Sequence, residues 1–175
     1  MCRKDIPKIS TIVDLLYENY MPTPSVVIRN NVFGKFPSWF STLQFGDWPL
    51  YILNAQYGNI YYIEETLDTY RVHSGGVWSS DVTDLKRQID KNKAQIDFYL
   101  ALKKHFRGKY SAILHEQVSK CHLSLAGLYR KTGNIGISLI FIVRGFIAYP
   151  RFNNIASIIN IFINLIKSKP NPLIK

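Results

Sequence analysis

Cysteine is nearly absent from this chain of 175 residues, which contains only Cys2 and Cys121. Neither residue belongs to a C-x-x-C pair or to another spacing that is typical of metal ligands. With one cysteine at the extreme terminus, a disulfide framework is not expected to support the fold. The first ten residues also lack the apolar run of a signal peptide. The sequence therefore predicts a cytoplasmic protein.

The usual signatures of nucleotide binding and of membrane spanning are missing as well. The sequence has no D-x-D motif, no Gly-rich phosphate loop and no opening series of alternating strands and helices. Its two most apolar stretches, residues 135–148 and 155–166, are shorter than the roughly 20 residues needed to cross a bilayer. These stretches are expected either to pack on protein or to lie in a membrane interface.

Acidic residues are scarce in the second half of the chain. The net charge is +10, but residues 1–85 carry six Lys or Arg and nine Asp or Glu, a balance of −3. Residues 86–175 carry 16 Lys or Arg and only three Asp or Glu, a balance of +13. Such asymmetry indicates an anionic partner. No helix-turn-helix, zinc or RNA-recognition signature is present, so a membrane surface is favoured and nucleic acid is not expected.

The first half of the sequence predicts short helices and strands. Ser10 or Thr11 is expected to cap a helix through Asn19, with Ile12, Leu15 and Leu16 on its buried side. Residues 25–29, which are rich in Val and Ile, are predicted to form a buried strand.

The region that follows is predicted to hold a second helix and two more strands. Asp47 is expected to be the N-cap of the helix, and Gly58 is expected to end it in the left-handed region. Residues 59–63 and 67–72 are predicted to be strands. Arg71 and the residues after it then stand at the end of a strand, where side chains can converge on a cleft.

From about residue 83 onward the pattern is helical. Gly108 and Gly133 are expected to divide this region into separate helices, and one of these helices is predicted at residues 135–148.

Several short motifs follow one another between roughly residues 10 and 80. They are Asp14-Leu15-Leu16, Asn19-Tyr20-Met21-Pro22-Thr23, Ser25-Val26-Val27-Ile28-Arg29, Asp47-Trp48, Leu50, Gly58 and Tyr70-Arg71-Val72-His73. Their order and spacing resemble the C-terminal half of the catalytic domain of family 2 glycosyltransferases. Gly46 stands where the family usually has Glu.

The resemblance implies an α/β fold, namely part of the GT-A fold. Residues 1–82 would form the acceptor-side half of that catalytic domain, and residues 83–175 a basic α-helical region. Because the family's donor-binding half has no counterpart in this sequence, the chain is expected to be the C-terminal part of an enzyme and to be inactive alone.

The resemblance also assigns roles to individual side chains. Asp47 would be the general base, and Arg71 would bind the diphosphate of the donor. His73 would contact the diphosphate or complete the coordination of a divalent metal, Mn or Mg. Trp48 and Trp78 would be walls of the acceptor site. The alternatives are a helix cap for Asp47, an ion pair for Arg71, a polar loop residue at His73, and core packing for both tryptophans.

The resulting expectation is a hexosyltransferase-like enzyme. It would transfer a sugar from a nucleotide-sugar donor to a glycan or lipid-linked acceptor, in cell-surface polysaccharide biosynthesis at the inner face of the cytoplasmic membrane. The alternative is a non-catalytic binding module whose basic helices hold an anionic membrane surface or nucleic acid.

Overall fold

The computed structural model describes residues 6–66, 69 and 84–150, and the chain divides into two compact units, Met1–Ser80 and Asp81–Lys175. Of the described residues, 60% are helical and only 3% are in strands, which form a single two-stranded sheet. The predicted α/β class, a partial GT-A fold, is therefore wrong. The described chain is mainly helical and bundle-like.

The described residues of the first unit form two short strands and two short α-helices. Strands β1 (Ile9–Ser10) and β2 (Ile60–Tyr61) pair antiparallel, with Ile9 opposite Tyr61. Helix α1 (Ile12–Tyr17) follows β1, and helix α2 (Asp47–Ala55) precedes β2. Two 3-10 turns, Thr23–Ser25 and Phe40–Thr42, lie between the helices.

Helix α1 begins as the sequence predicts. The Thr11 hydroxyl accepts a hydrogen bond from the backbone N–H of Val13, and the Asp14 carboxylate accepts one from the backbone N–H of Thr11 at 2.7 Å. This reciprocal capping satisfies backbone donors that the first helical turn leaves without partners. The predicted buried side is confirmed, since Ile12, Leu15 and Leu16 are all buried. The helix ends at Tyr17, two residues earlier than predicted.

The strand predicted at residues 25–29 does not form. Ser25 instead closes a 3-10 turn, donating both its backbone N–H and its hydroxyl to the carbonyl of Pro22, at 3.0 and 2.8 Å. Such local hydrogen bonding competes with strand pairing. No strand in the described part of the chain pairs with this segment, and Val27 is almost fully exposed. The apolar residues here therefore contribute nothing to a sheet.

The described part of the second unit, residues 84–150, forms three helices: α3 (Leu85–His105), α4 (Ser111–Lys131) and α5 (Ile135–Ala148). The middle helix, α4, packs against both others. Gly108 and Gly133 have φ angles of 93° and 79°, which confirms that they separate the helices. The bounds of α5 match the prediction. Among the fully buried side chains of this unit are Phe98, Leu102, Leu114, Leu125 and Ile142.

Small residues bring α4 and α5 close together. The Ser119 hydroxyl donates to the Gly145 carbonyl at 2.7 Å, and the Ser138 hydroxyl donates to the Ala126 carbonyl at 2.8 Å. A Cβ atom at Gly145 would lie 3.1 Å from the Leu123 side chain and 3.3 Å from the Ser119 carbonyl oxygen. The helices therefore approach so closely that a methyl group at position 145 would require the Leu123 side chain and the α4 backbone to shift by a few tenths of an ångström.

Two glycine-to-alanine changes in α5 test this contact. Gly145→Ala is expected to lower the free energy of unfolding by about 1–2 kcal/mol, because the added methyl group overpacks the interface. Gly136→Ala in the same helix adds a Cβ atom with nothing within 4 Å, so its higher helix propensity should raise stability by up to about 1 kcal/mol. Urea denaturation measures both. If both variants raise the free energy of unfolding by the same amount, α4 and α5 do not approach closely at Gly145.

Candidate functional site

Asp47 is the first residue of α2 and not its cap, because the N-cap position is occupied by Gly46. The predicted helix start is thus displaced by one residue. The Asp47 Oδ1 atom accepts the backbone N–H of Trp48 at 2.8 Å. The amino-terminal end of the helix dipole favours a negative charge at this position. At the other end of the helix, the left-handed conformation predicted for Gly58 is not found.

A second hydrogen bond fixes the other carboxylate oxygen of Asp47. The Thr23 hydroxyl donates to Asp47 Oδ2 at 2.9 Å, across 24 positions of sequence. Both matched segments are therefore in contact, the one that ends at Thr23 and the one that begins at Asp47. A carboxylate offers about four lone-pair sites, so it can accept a further hydroxyl donor. Asp47 is half-buried and Thr23 is exposed, which leaves the carboxylate open to solvent on one side.

Tyr51 lies one helical turn after Asp47 and completes the cluster. Burial raises the pKa of its phenol, the negative charge of Asp47 raises this pKa further, and a hydrogen bond with Thr23 lowers it. The phenol therefore stays protonated at neutral pH. Sequence reasoning did not select Tyr51 as a site residue, although its i, i+4 spacing from Asp47 places both side chains on one helix face.

Trp48 is buried and joins α2 to α1. Its indole N–H donates a hydrogen bond to the carbonyl of Leu15 at 2.8 Å. The Trp48 and Phe45 rings are stacked, with their centroids 6.3 Å apart. The structure thus gives Trp48 a packing role, and its predicted contact with an acceptor sugar stays a prediction. The predicted donor-side residues Arg71 and His73, and the predicted wall residue Trp78, lie outside the described residues.

No group of three His, Cys, Asp or Glu side chains that could hold a metal ion occurs within residues 6–66, 69 and 84–150. The predicted divalent metal therefore depends on His73 and on groups beyond these ranges. The cleft that Asp47 is predicted to share with Arg71 or His73 likewise stays a prediction.

Comparison of the chain with models of known protein families, with curated proteins and with solved structures found no match. The resemblance to family 2 glycosyltransferases therefore stays a prediction from the short sequence motifs.

Proposed function

We propose that Asp47 is the general base of a glycosyl transfer from a nucleotide-sugar donor to a hydroxyl group of a glycan or lipid-linked acceptor. The observation that carries this proposal is the hydrogen bond from Thr23 to Asp47. It joins two segments that were matched to the family separately, and it holds a solvent-accessible carboxylate at a helix terminus. The proposal does not require the α/β architecture that the structure contradicts.

The proposed reaction needs an ionised carboxylate with a defined orientation. As the acceptor oxygen attacks the anomeric carbon, Asp47 takes the proton of the acceptor hydroxyl. The bond from the anomeric carbon to the donor diphosphate breaks, and its electron pair leaves with the diphosphate. The Trp48 N–H and the Thr23 hydroxyl each hold one oxygen of Asp47, so little reorientation precedes proton transfer.

The donor side of the reaction is proposed from the resemblance alone. Arg71 would pair with the departing diphosphate through two parallel N–H donors, and His73 would contact the diphosphate or a divalent Mn or Mg ion. The proposed reaction also requires a donor-binding part, and this sequence has no D-x-D motif that would mark one. The proposed enzyme would act in the synthesis of a cell-surface polysaccharide.

Replacing the hydroxyl that holds Asp47 tests this proposal. In the enzyme completed by its donor-binding part, Thr23→Val should lower kcat about 10- to 100-fold, the range expected for a hydrogen bond to a charged group. The KM for the donor should change little, because Thr23 belongs to the acceptor side. Initial rates of sugar transfer at saturating donor measure the effect.

Thr42→Val is the matched control for this experiment. Its hydroxyl donates to the backbone carbonyl of Trp39 at 2.8 Å, within the second 3-10 turn. The same loss of a hydroxyl there should leave kcat within about twofold. If Thr23→Val and Thr42→Val have equal effects on kcat, the Thr23 contact has no part in proton transfer.

A further inference from the structure

One face of α5 is apolar and exposed. The side chains at positions i, i+3, i+4 and i+7 of this stripe are Ile140, Val143, Arg144 and Ile147, and all four are exposed. We call this stripe the outer face of α5. The opposite side of the helix holds the buried residues that pack on α4. A helix of 14 residues is only about 21 Å long. Among the described helices, none has the length and apolar character needed to cross a membrane.

The sequence from the middle of α4 onward is strongly basic. Residues 117–175 contain eight Lys or Arg and no Asp or Glu. The guanidinium group of Arg144 lies 5.6 Å from the centre of the Phe141 ring, at the edge of the apolar stripe. The last turn of α4 adds Arg130 and Lys131, both exposed, just before α5 begins. An occupant that supplies negative charge as well as apolar surface is therefore favoured at the outer face.

The preference for negative charge argues against two occupants that the chain itself could provide, namely a second copy and residues 151–175. In a twofold dimer whose axis passes near Arg144, the two copies of this residue would lie close together, and like charges in an interface are repulsive. Residues 151–175 include an uncharged apolar stretch at 155–166, but they add four basic residues and no acidic one. Anionic lipid supplies both needs, because phosphate groups lie beside an acyl boundary into which apolar side chains can insert.

We propose that the outer face of α5 lies on an anionic lipid surface. Ile140, Val143 and Ile147 enter the boundary between headgroups and acyl chains, and Arg144 contacts lipid phosphate. The helix lies parallel to the membrane plane and keeps its other side on α4. This inference does not depend on the proposed glycosyl transfer, since it uses only residues of the second unit.

Co-flotation of the full chain with vesicles tests the proposal. Vesicles of phosphatidylcholine alone are compared with vesicles that also contain phosphatidylglycerol. Val143→Glu should weaken binding to the anionic vesicles more than tenfold, because the new charge opposes both insertion and the lipid charge. Val27→Glu is the matched control. It makes the same change at a 99% exposed valine of the first unit, against 56% exposure for Val143.

The control should weaken binding by no more than about fivefold, the effect of one charge at such a surface. Equal losses for Val143→Glu and Val27→Glu would mean that charge alone attracts the chain, and would overturn the proposal. Equal binding of the wild-type chain to neutral and anionic vesicles would overturn it as well.

An environment-sensitive fluorophore at position 143 distinguishes the other occupants. It is attached to Val143→Cys in a Cys2→Ser chain, since Cys121 is buried and its thiol pKa is raised to about 11 by that burial. The proposal predicts a water-exposed emission in buffer and a blue shift with anionic vesicles only. A blue-shifted emission in buffer would overturn it. Dependence on protein concentration would then identify a second copy, and independence would show that another part of the same chain covers the face.

Discussion

Leu102→Ala is expected to lower the free energy of unfolding of the second unit by about 2–5 kcal/mol, the range for removing a fully buried leucine. Leu102 is 0% exposed and lies in α3 on the side that packs against α4. Truncation to alanine removes its apolar contacts and leaves a cavity that the three helices can close only in part.

Leu100→Ala is the internal control, because Leu100 lies in the same helix and is 42% exposed. The same truncation there should cost less than about 1 kcal/mol. Urea denaturation followed by far-ultraviolet circular dichroism gives both values. If the two variants lose equal stability, or Leu100→Ala loses more, then α3 faces α4 with a different side from the one described.

The helices of the second unit could be predicted because their signals are local. Gly108 and Gly133 adopt positive φ angles that other residues disfavour, so each glycine marks a helix end within the sequence itself. The apolar run from Ile135 has helical length and is followed by Pro150, so α5 was predicted with both of its ends correct. These features need no knowledge of distant contacts.

The sheet could not be predicted on the same grounds. A strand exists only when another strand pairs with it, and Val- or Ile-rich segments indicate strands mainly through that context. Residues 25–29 have the composition of a strand, but Ser25 forms a local hydrogen bond to the Pro22 carbonyl and belongs to a 3-10 turn. Of the predicted strand at 59–63, only Ile60 and Tyr61 are in the strand, and the Tyr62 backbone N–H adds one hydrogen bond to the Lys8 carbonyl at 3.0 Å. The α/β prediction failed because it depended on such pairing throughout the first unit.

In the candidate site too, features set by neighbouring residues could be predicted from the sequence, and contacts between distant residues could not. Asp47 was identified from the motif around it, and its position at a helix start was predicted within one residue. Its partner Thr23 stood in another matched segment, but no local pattern connects residues that are 24 positions apart. The position of Tyr51 beside Asp47 could be predicted from their i, i+4 spacing. The hydrogen bond between Tyr51 and Thr23 could not be predicted from the sequence.

Asp47→Asn is expected to reduce the turnover of the completed enzyme by roughly 10²–10⁴-fold, the usual loss when a general base is removed. Asparagine has nearly the same shape, and its carbonyl oxygen can still accept a hydrogen bond from Thr23 or Trp48. The local structure should therefore survive, while the side chain can no longer take a proton. Binding of the sugar nucleotide should also survive, since the donor site lies largely outside this chain in the proposed enzyme.

Asp84→Asn provides the comparison for that substitution. Asp84 is the N-cap of α3 and accepts the backbone N–H groups of Lys86 and Arg87 at 2.9 and 3.1 Å. Asparagine caps helices about as well as aspartate. This variant also loses one negative charge at a helix start, but no role in the reaction is proposed for the residue. Its turnover should equal that of the wild type within about twofold.

One measurement decides whether Asp47 is a base or only part of a helix start. It is kcat of acceptor-dependent sugar transfer, at saturating donor and acceptor, for the wild type, Asp47→Asn and Asp84→Asn. We expect kcat of Asp47→Asn to fall by at least 100-fold, with an unchanged dissociation constant for the donor and full activity in Asp84→Asn. Turnover of Asp47→Asn close to that of the wild type would contradict the proposed function and leave Asp47 with a structural role at the start of α2.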